Sequence, residues 1–124
     1  SLSHFVSYPG AAIYAGSKDG LSAYASALSV GLAKQGMNVL TIYPGPTKTE
    51  HARRYSPDNS KEEERMEPEQ LATLIYKAVK RRSRFLIPSF KNWAMAVGGQ
   101  MFSSRAEKIM TREVFIKMIA RRRK

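Results

Sequence analysis

Between Met37 and Tyr43 the chain is almost wholly apolar, and Pro44-Gly45-Pro46 follows at once. A strand with one face in water alternates apolar and polar residues with a period of two. This run does not alternate. It predicts a strand covered by helices on both faces, which is the situation of a parallel sheet. Pro44 lacks a donor and stops the strand at its C-terminal end, where open α/β sheets bind their ligands. No other short stretch constrains the fold class so strongly.

The flanking segments agree with a helix-covered sheet. Ala11 to Gln35 predicts one long helix, in which Leu21, Tyr24, Leu28 and Leu32 recur at spacings of three and four as a buried stripe. Gly36 is placed to end it as the left-handed C′ residue. Small residues at Ala23, Ala27 and Gly31 permit close packing, either within the chain or against a second subunit. Glu50 to Glu67 is polar and reads as a loop with a short helix at Lys61 to Met66. Glu62 to Glu64 read as a solvated face. His51, Arg53 and Arg54 read either as solvated or as a set that meets an anionic group. Pro68 to Arg82 predicts a second helix: Pro68 suits its first position, Glu69 its first turn, and Lys80-Arg81-Arg82 its last. Its apolar stripe is Leu71, Leu74, Ile75, Ala78 and Val79. Phe85 to Pro88 predicts a short strand. The order helix, strand, loop, helix, strand is about half of a doubly wound parallel sheet.

The 124 residues suffice for one small domain with a core. There is no cysteine, which excludes disulfides and thiolate metal sites, and no apolar run approaches the ~18 residues of a membrane span. Charge divides the chain. Residues 1–76 hold 7 Lys/Arg against 8 Asp/Glu, and residues 77–124 hold 14 against 2. The basic character therefore belongs to the C-terminal part, whose helices are predicted at about 91–102 and 104–121. Ser104 and Glu107 suit a capping box. Ala106, Ile109, Met110, Val114 and Ile116 fall on one side of the last helix; Phe115, Met118 and Ile119 fall on the other. With Arg121-Arg122-Arg123-Lys124 behind it, residues 104–124 read either as an anionic membrane-surface contact or as a solvated tail. Charge alone also suggests nucleic acid, but no helix-turn-helix, zinc-finger or aromatic RNA-binding signature accompanies it.

The chemistry is concentrated near the N-terminus. Tyr14-Ala15-Gly16-Ser17-Lys18 sets a phenol and an ammonium four positions apart, one turn apart on a helical face. An ammonium beside a phenol in a dry site stabilises the phenolate and prepares it for proton transfer. Ser1 stands thirteen residues before Tyr14, and Pro9-Gly10 makes a turn between them. After the strand comes Pro44-Gly45-Pro46-Thr47-Lys48-Thr49. This order of Ser, Tyr-x-x-x-Lys, strand and Pro-Gly-x-x-x-Thr resembles the short-chain dehydrogenase/reductases over about Ser1 to Ser89.

The resemblance implies a Rossmann-like sheet and a nicotinamide cofactor, NAD or NADP, acting on a small carbonyl or alcohol substrate. It implies that Tyr14 is the proton donor, that Lys18 supports it and holds the nicotinamide ribose, and that Ser1 fixes the substrate oxygen. Pro44, Gly45, Thr47 and Thr49 would border the cofactor, the Thr47 backbone at the carboxamide and the Thr49 hydroxyl at the phosphates. His4 and Tyr8 would lie beside the substrate, although His4 also reads as an ordinary loop histidine. A homodimer through helix 11–35 is implied as well. Members of the family are roughly twice this long, and their first half carries a glycine-rich turn that holds the pyrophosphate at a helix N-terminus. No such motif occurs here. The chain is therefore expected to be the C-terminal part of a doubly wound domain, residues 1–90, with a basic helical extension, residues 91–124, inactive alone and intracellular, either cytoplasmic or at a membrane surface. The rival expectation is a non-catalytic remnant serving as a basic membrane-surface or protein interaction module.

Overall fold

The structure is a computed structural model that describes residues 1–5, 11–56 and 59–101. A 3₁₀ turn at Leu2–His4 opens the chain. It is followed by α1 (Ala12–Ala33), β1 (Thr41–Ile42), α2 (Glu50–Tyr55), a second 3₁₀ turn (Glu62–Glu64), α3 (Pro68–Lys80), β2 (Phe85–Leu86) and α4 (Phe90–Met101). The two strands run parallel, Thr41 opposite Phe85 and Ile42 opposite Leu86, joined by the α2–α3 crossover. The fold is α/β, a partial Rossmann-like sheet with its helices. Tyr8 and the segment 104–124 lie outside the described residues.

Helix α1 ends as its sequence dictates. Gly36 adopts φ 74°, its N–H donates to Ala33 O, and the Met37 N–H reaches back to Leu32 O. These two bonds form the Schellman motif that glycine at C′ permits. In α3, Pro68 occupies the first turn with Glu69, and Lys77 and Lys80 sit in the last turn, where the helix dipole favours them. Its stripe faces the sheet with Ala78 buried and Leu71, Leu74 and Ile75 half-buried; Val79 is exposed.

Several expectations are corrected. The stripe on α1 is not buried: Leu21 is 58% exposed and Tyr24 64%, and the helix instead buries Ala15 and Ser22. A two-stranded sheet is too narrow to cover a stripe along all of a 22-residue helix. The strand expected over Met37–Tyr43 pairs only at Thr41–Ile42, because β2 is its one neighbour among the described residues. Its residues 39–42 are half-buried, not fully covered. The Phe85–Pro88 strand pairs only at Phe85–Leu86.

The expected loop after Thr49 begins with a helix. The Thr49 hydroxyl caps α2 by accepting the Ala52 N–H at 3.1 Å. Its neck is closed by a parallel bridge between Thr47 and Met66, with Lys48 N–H to Met66 O at 2.9 Å and Met66 N–H to Pro46 O at 3.1 Å. Lys48 clamps this neck by pairing with Glu67 at 2.6 Å and Glu63 at 2.9 Å. Arg53 pairs with Glu62. Of the expected solvated carboxylates, Glu63 and Glu64 are exposed, with Glu63 also pairing with Lys48, while Glu62 is half-buried against Arg53 because the neck folds the acidic turn back over α2.

The core is small. Leu2, Tyr43 and Ala96 are buried together, with Phe5, Ile87 and Met95 packed around them. The start of the chain, the end of β1 and α4 thus share one apolar cluster, and this cluster fixes the geometry of the candidate site.

Candidate active site

Ser1 caps the first 3₁₀ turn. Its Oγ accepts from the Ser3 N–H at 3.2 Å and from the Ser3 hydroxyl at 2.9 Å. A hydroxyl has one proton to donate and two lone pairs. With both lone pairs engaged, the Ser1 O–H is left as a donor. Ser3 is 2% exposed and carries this arrangement, a role that sequence reading missed. Only its spacing of two from Ser1 hinted at it.

Two further contacts pin the turn. Leu2 N–H donates to Pro44 O at 3.2 Å, tying it to the end of β1. His4 Nδ1 lies 2.6 Å from Asp19 Oδ1, tying it to α1 one residue past Lys18. His4 also stacks on Tyr43 with centroids 5.3 Å apart. It is a tether from the turn to the helix and sheet, which sequence reading did not see because Asp19 carries no motif of its own.

Tyr14 and Lys18 occupy one face of α1, as i and i+4 residues must. The Lys18 ammonium lies 5.4 Å from the centroid of the Tyr14 ring. Tyr14 is 45% exposed and Lys18 is half-buried. The serine turn packs against α1 and is tethered by His4 to Asp19, next to Lys18, at the end of the helix that carries Tyr14.

The Pro44–Thr49 loop leaves β1 on the same side. Thr47 donates its hydroxyl to Gly45 O at 3.1 Å, and Thr49 is occupied as the cap of α2. Gly45 faces Asn92 of α4 so closely that a Cβ there would stand 2.8 Å from Asn92 Cγ. Asn92 is held in turn by its Nδ2 donating to Pro88 O at 2.8 Å. Beside this group a cleft of about 640 Å³ opens between α1, the strands and α4, lined by His4, Phe5, Ser22, Tyr43, Phe85 and Met101 among others. Ser22 and Tyr43 share a buried hydrogen bond of 2.6 Å at its wall. Ser1, Tyr14 and Lys18 do not line the cleft. On the serine turn it touches His4 and Phe5.

The chain holds a second Tyr-x-x-x-Lys. Tyr76 and Lys80 lie on α3, with the ammonium 5.6 Å from the ring centroid. No serine turn or proline–glycine loop joins them in any recorded contact.

The donors present suit one end of a dinucleotide: two hydroxyls, an ammonium and the backbone of the Thr47 loop. A glycine-rich turn for the pyrophosphate is absent from the sequence. Among the described residues no group of carboxylates and histidines is arranged to hold a metal ion. Residues 1–60 match the short chain dehydrogenase family. No curated protein and no solved structure matches the chain.

Proposed function

We infer, from a chain whose residues 1–60 belong to the short-chain dehydrogenase family, that it supplies the proton-transfer half of an NAD(P)-dependent oxidoreductase for a carbonyl or alcohol substrate. The observation that carries this reading is that the serine turn packs on α1, tethered by His4 to Asp19, at the end of the helix where Lys18 lies over the Tyr14 ring.

In the reduction direction, the Ser1 hydroxyl donates a hydrogen bond to the carbonyl oxygen. Its lone pairs are held by Ser3, so the proton points outward. Tyr14 delivers its phenolic proton to the same oxygen as negative charge develops there. Lys18 stabilises the phenolate that remains. Tyr14, Lys18 and the Pro44–Thr49 loop would hold the nicotinamide end of the cofactor, which when bound supplies the hydride. The pyrophosphate is left to sequence outside residues 1–124. In the oxidation direction the same groups run in reverse, with Tyr14 taking the proton.

The test is nicotinamide oxidation with a panel of aldehydes and ketones. Residues 1–124 alone are expected to be inactive. The full-length protein carrying them is expected to turn over, and its Tyr14→Phe variant to bind cofactor without turning over. Undiminished turnover in that variant overturns the reading.

A further inference from the structure

The end of the molecule away from Tyr14 carries a different surface. The turn after α1 and the turn after α3 are stitched together there. Arg82 donates to Gly36 O at 2.7 Å, Asn38 donates to Ser83 O at 3.0 Å, and Arg84 donates to Ser29 Oγ at 2.9 Å. These bonds bring Lys34, Lys80, Arg81, Arg82 and Arg84 onto one exposed edge. Neither sequence stretch that builds the edge, residues 20–49 and 70–101, contains a single Asp or Glu. Among the described residues none of the five cations is in an ion pair.

Cations in the last turn of a helix complement its dipole, and this accounts for Lys34 and Lys80. It does not account for Arg82 and Arg84, which lie beyond the C-cap of α3. Nor does it account for the apolar residues set among them: Val30 is 68% exposed, Met37 48% and Val79 56%. A shallow groove of about 390 Å³ runs through the edge, with Lys34 and Arg84 on its walls and Val30, Met37 and Val39 along it.

We propose that this edge docks on an anionic phospholipid bilayer, with the cations at the headgroups and Val30, Met37 and Val79 in the interface. Phosphate charge answers an uncompensated cationic edge, and interleaved aliphatic side chains answer the acyl boundary. Nucleic acid fits less well. The aromatic rings nearby, Tyr76 and Phe85, each already carry a cation of this chain over a face, at 5.6 Å for both, whereas base stacking needs open rings. Tyr14 and Lys34 are twenty helical positions apart, about 30 Å at 1.5 Å per residue. Docking by this edge leaves the Tyr14 end facing the aqueous phase. The proposal is independent of the reaction assigned to that end.

Vesicle co-sedimentation tests it, with phosphatidylserine–phosphatidylcholine vesicles against phosphatidylcholine alone. The variant Lys34→Gln/Lys80→Gln/Arg81→Gln removes three exposed cations and leaves the stitching arginines in place. Its partitioning onto anionic vesicles is expected to fall about 100-fold at low salt, the conversion of about 1 kcal/mol per cation. Val30→Asn/Met37→Asn is expected to weaken vesicle binding about tenfold and to leave oligonucleotide binding unchanged. Replacing Arg121, Arg122, Arg123 and Lys124 by Gln separates this edge from the basic C-terminus. Overturning results are partitioning of the triple variant within threefold of the parent, equal binding to the zwitterionic vesicles, or a loss confined to the 121–124 variant. A Val30/Met37 variant that binds vesicles like the parent also overturns it and leaves a purely electrostatic, polyanion-binding edge. Circular dichroism of each variant confirms an unchanged fold.

Discussion

Tyr14–Lys18 on α1 and Tyr76–Lys80 on α3 are the same local object. Each has four-residue spacing, a largely exposed ring, and an ammonium above it at 5.4 and 5.6 Å. They differ in what stands next to them. Lys18 is half-buried and adjoins Asp19, to which the Ser1 turn is tethered, and that turn is also hydrogen-bonded to Pro44. Lys80 is exposed and looks onto a cationic edge. The helical repeat makes the pair wherever the residues recur; only the neighbours turn it into a site. The surroundings of the first pair therefore rest on Leu2, Ser3 and Asp19, which seat and tether the serine turn.

The widest separation is expected in turnover. In the full-length protein, Tyr14→Phe should lower it by about 10²–10⁴-fold, the usual worth of a positioned general acid, and Tyr76→Phe should leave it unchanged. Steady-state assays of both variants check this. Equal effects would dissolve the distinction between the pairs.

Stability comes next. Leu2 is buried in the cluster that seats the serine turn, so Leu2→Ala is expected to cost about 2–4 kcal/mol in urea unfolding. Leu21→Ala, on the exposed stripe of α1, is expected to stay within about 0.5 kcal/mol. A larger cost at Leu21 that grows with protein concentration would show the stripe covered by a second copy, as the family resemblance implies.

A smaller effect is expected at Ser3. Removing its hydroxyl frees one lone pair of Ser1 and lets that hydroxyl turn away from the substrate. Ser3→Ala should lower turnover about 3- to 10-fold, in keeping with a hydrogen bond of about 1 kcal/mol. The loss should appear in kcat with KM for cofactor unmoved.

The smallest effect lies at the neck of the excursion. Lys48 holds the Glu63 carboxyl below its ordinary value by hydrogen bond and charge. The contribution of Glu63 is therefore present above the unfolded carboxylate value and is lost as pH falls through the lower, folded value. Glu67 and then Glu63 raise the Lys48 ammonium, so its contribution is full below the unfolded amine value and is lost only as pH rises through the folded one. NMR titration of the Glu63 carboxyl should show a midpoint that moves up in Lys48→Met. An unmoved midpoint would mean that the contact does not persist in solution.

Much of this architecture is legible in the chain. Pro68, Glu69 and Gly36 mark helix ends by local chemistry, and the ends fall within two residues of expectation because φ preferences and caps are local causes. The stripe of α1 was misread for the opposite reason: periodicity reports which residues share a face, not whether anything covers it. Strand lengths were overstated because pairing needs a neighbour along the whole run. Helix α2 escaped notice since its six residues carry no apolar period, although Thr49 and Glu50 are an ordinary cap and first turn. In the site, Tyr14, Lys18 and Ser1 were visible through their spacing. Ser3, Asp19 and Asn92 were not, because their roles arise from contacts made only on folding.

The contact of Gly45 with Asn92 reaches further than its size suggests. Position 45 has no room for a methyl group while the Asn92 side chain sits where it does. An alanine there would have to turn the Asn92 side chain aside and break its hydrogen bond to Pro88 O. The Asn92 side chain of α4 thus acts as a gauge on the loop, so positions 45 and 92 can change only together. A chimera that joins this loop to another protein's C-terminal helix would inherit Pro44 and Thr47 in sequence but not in place.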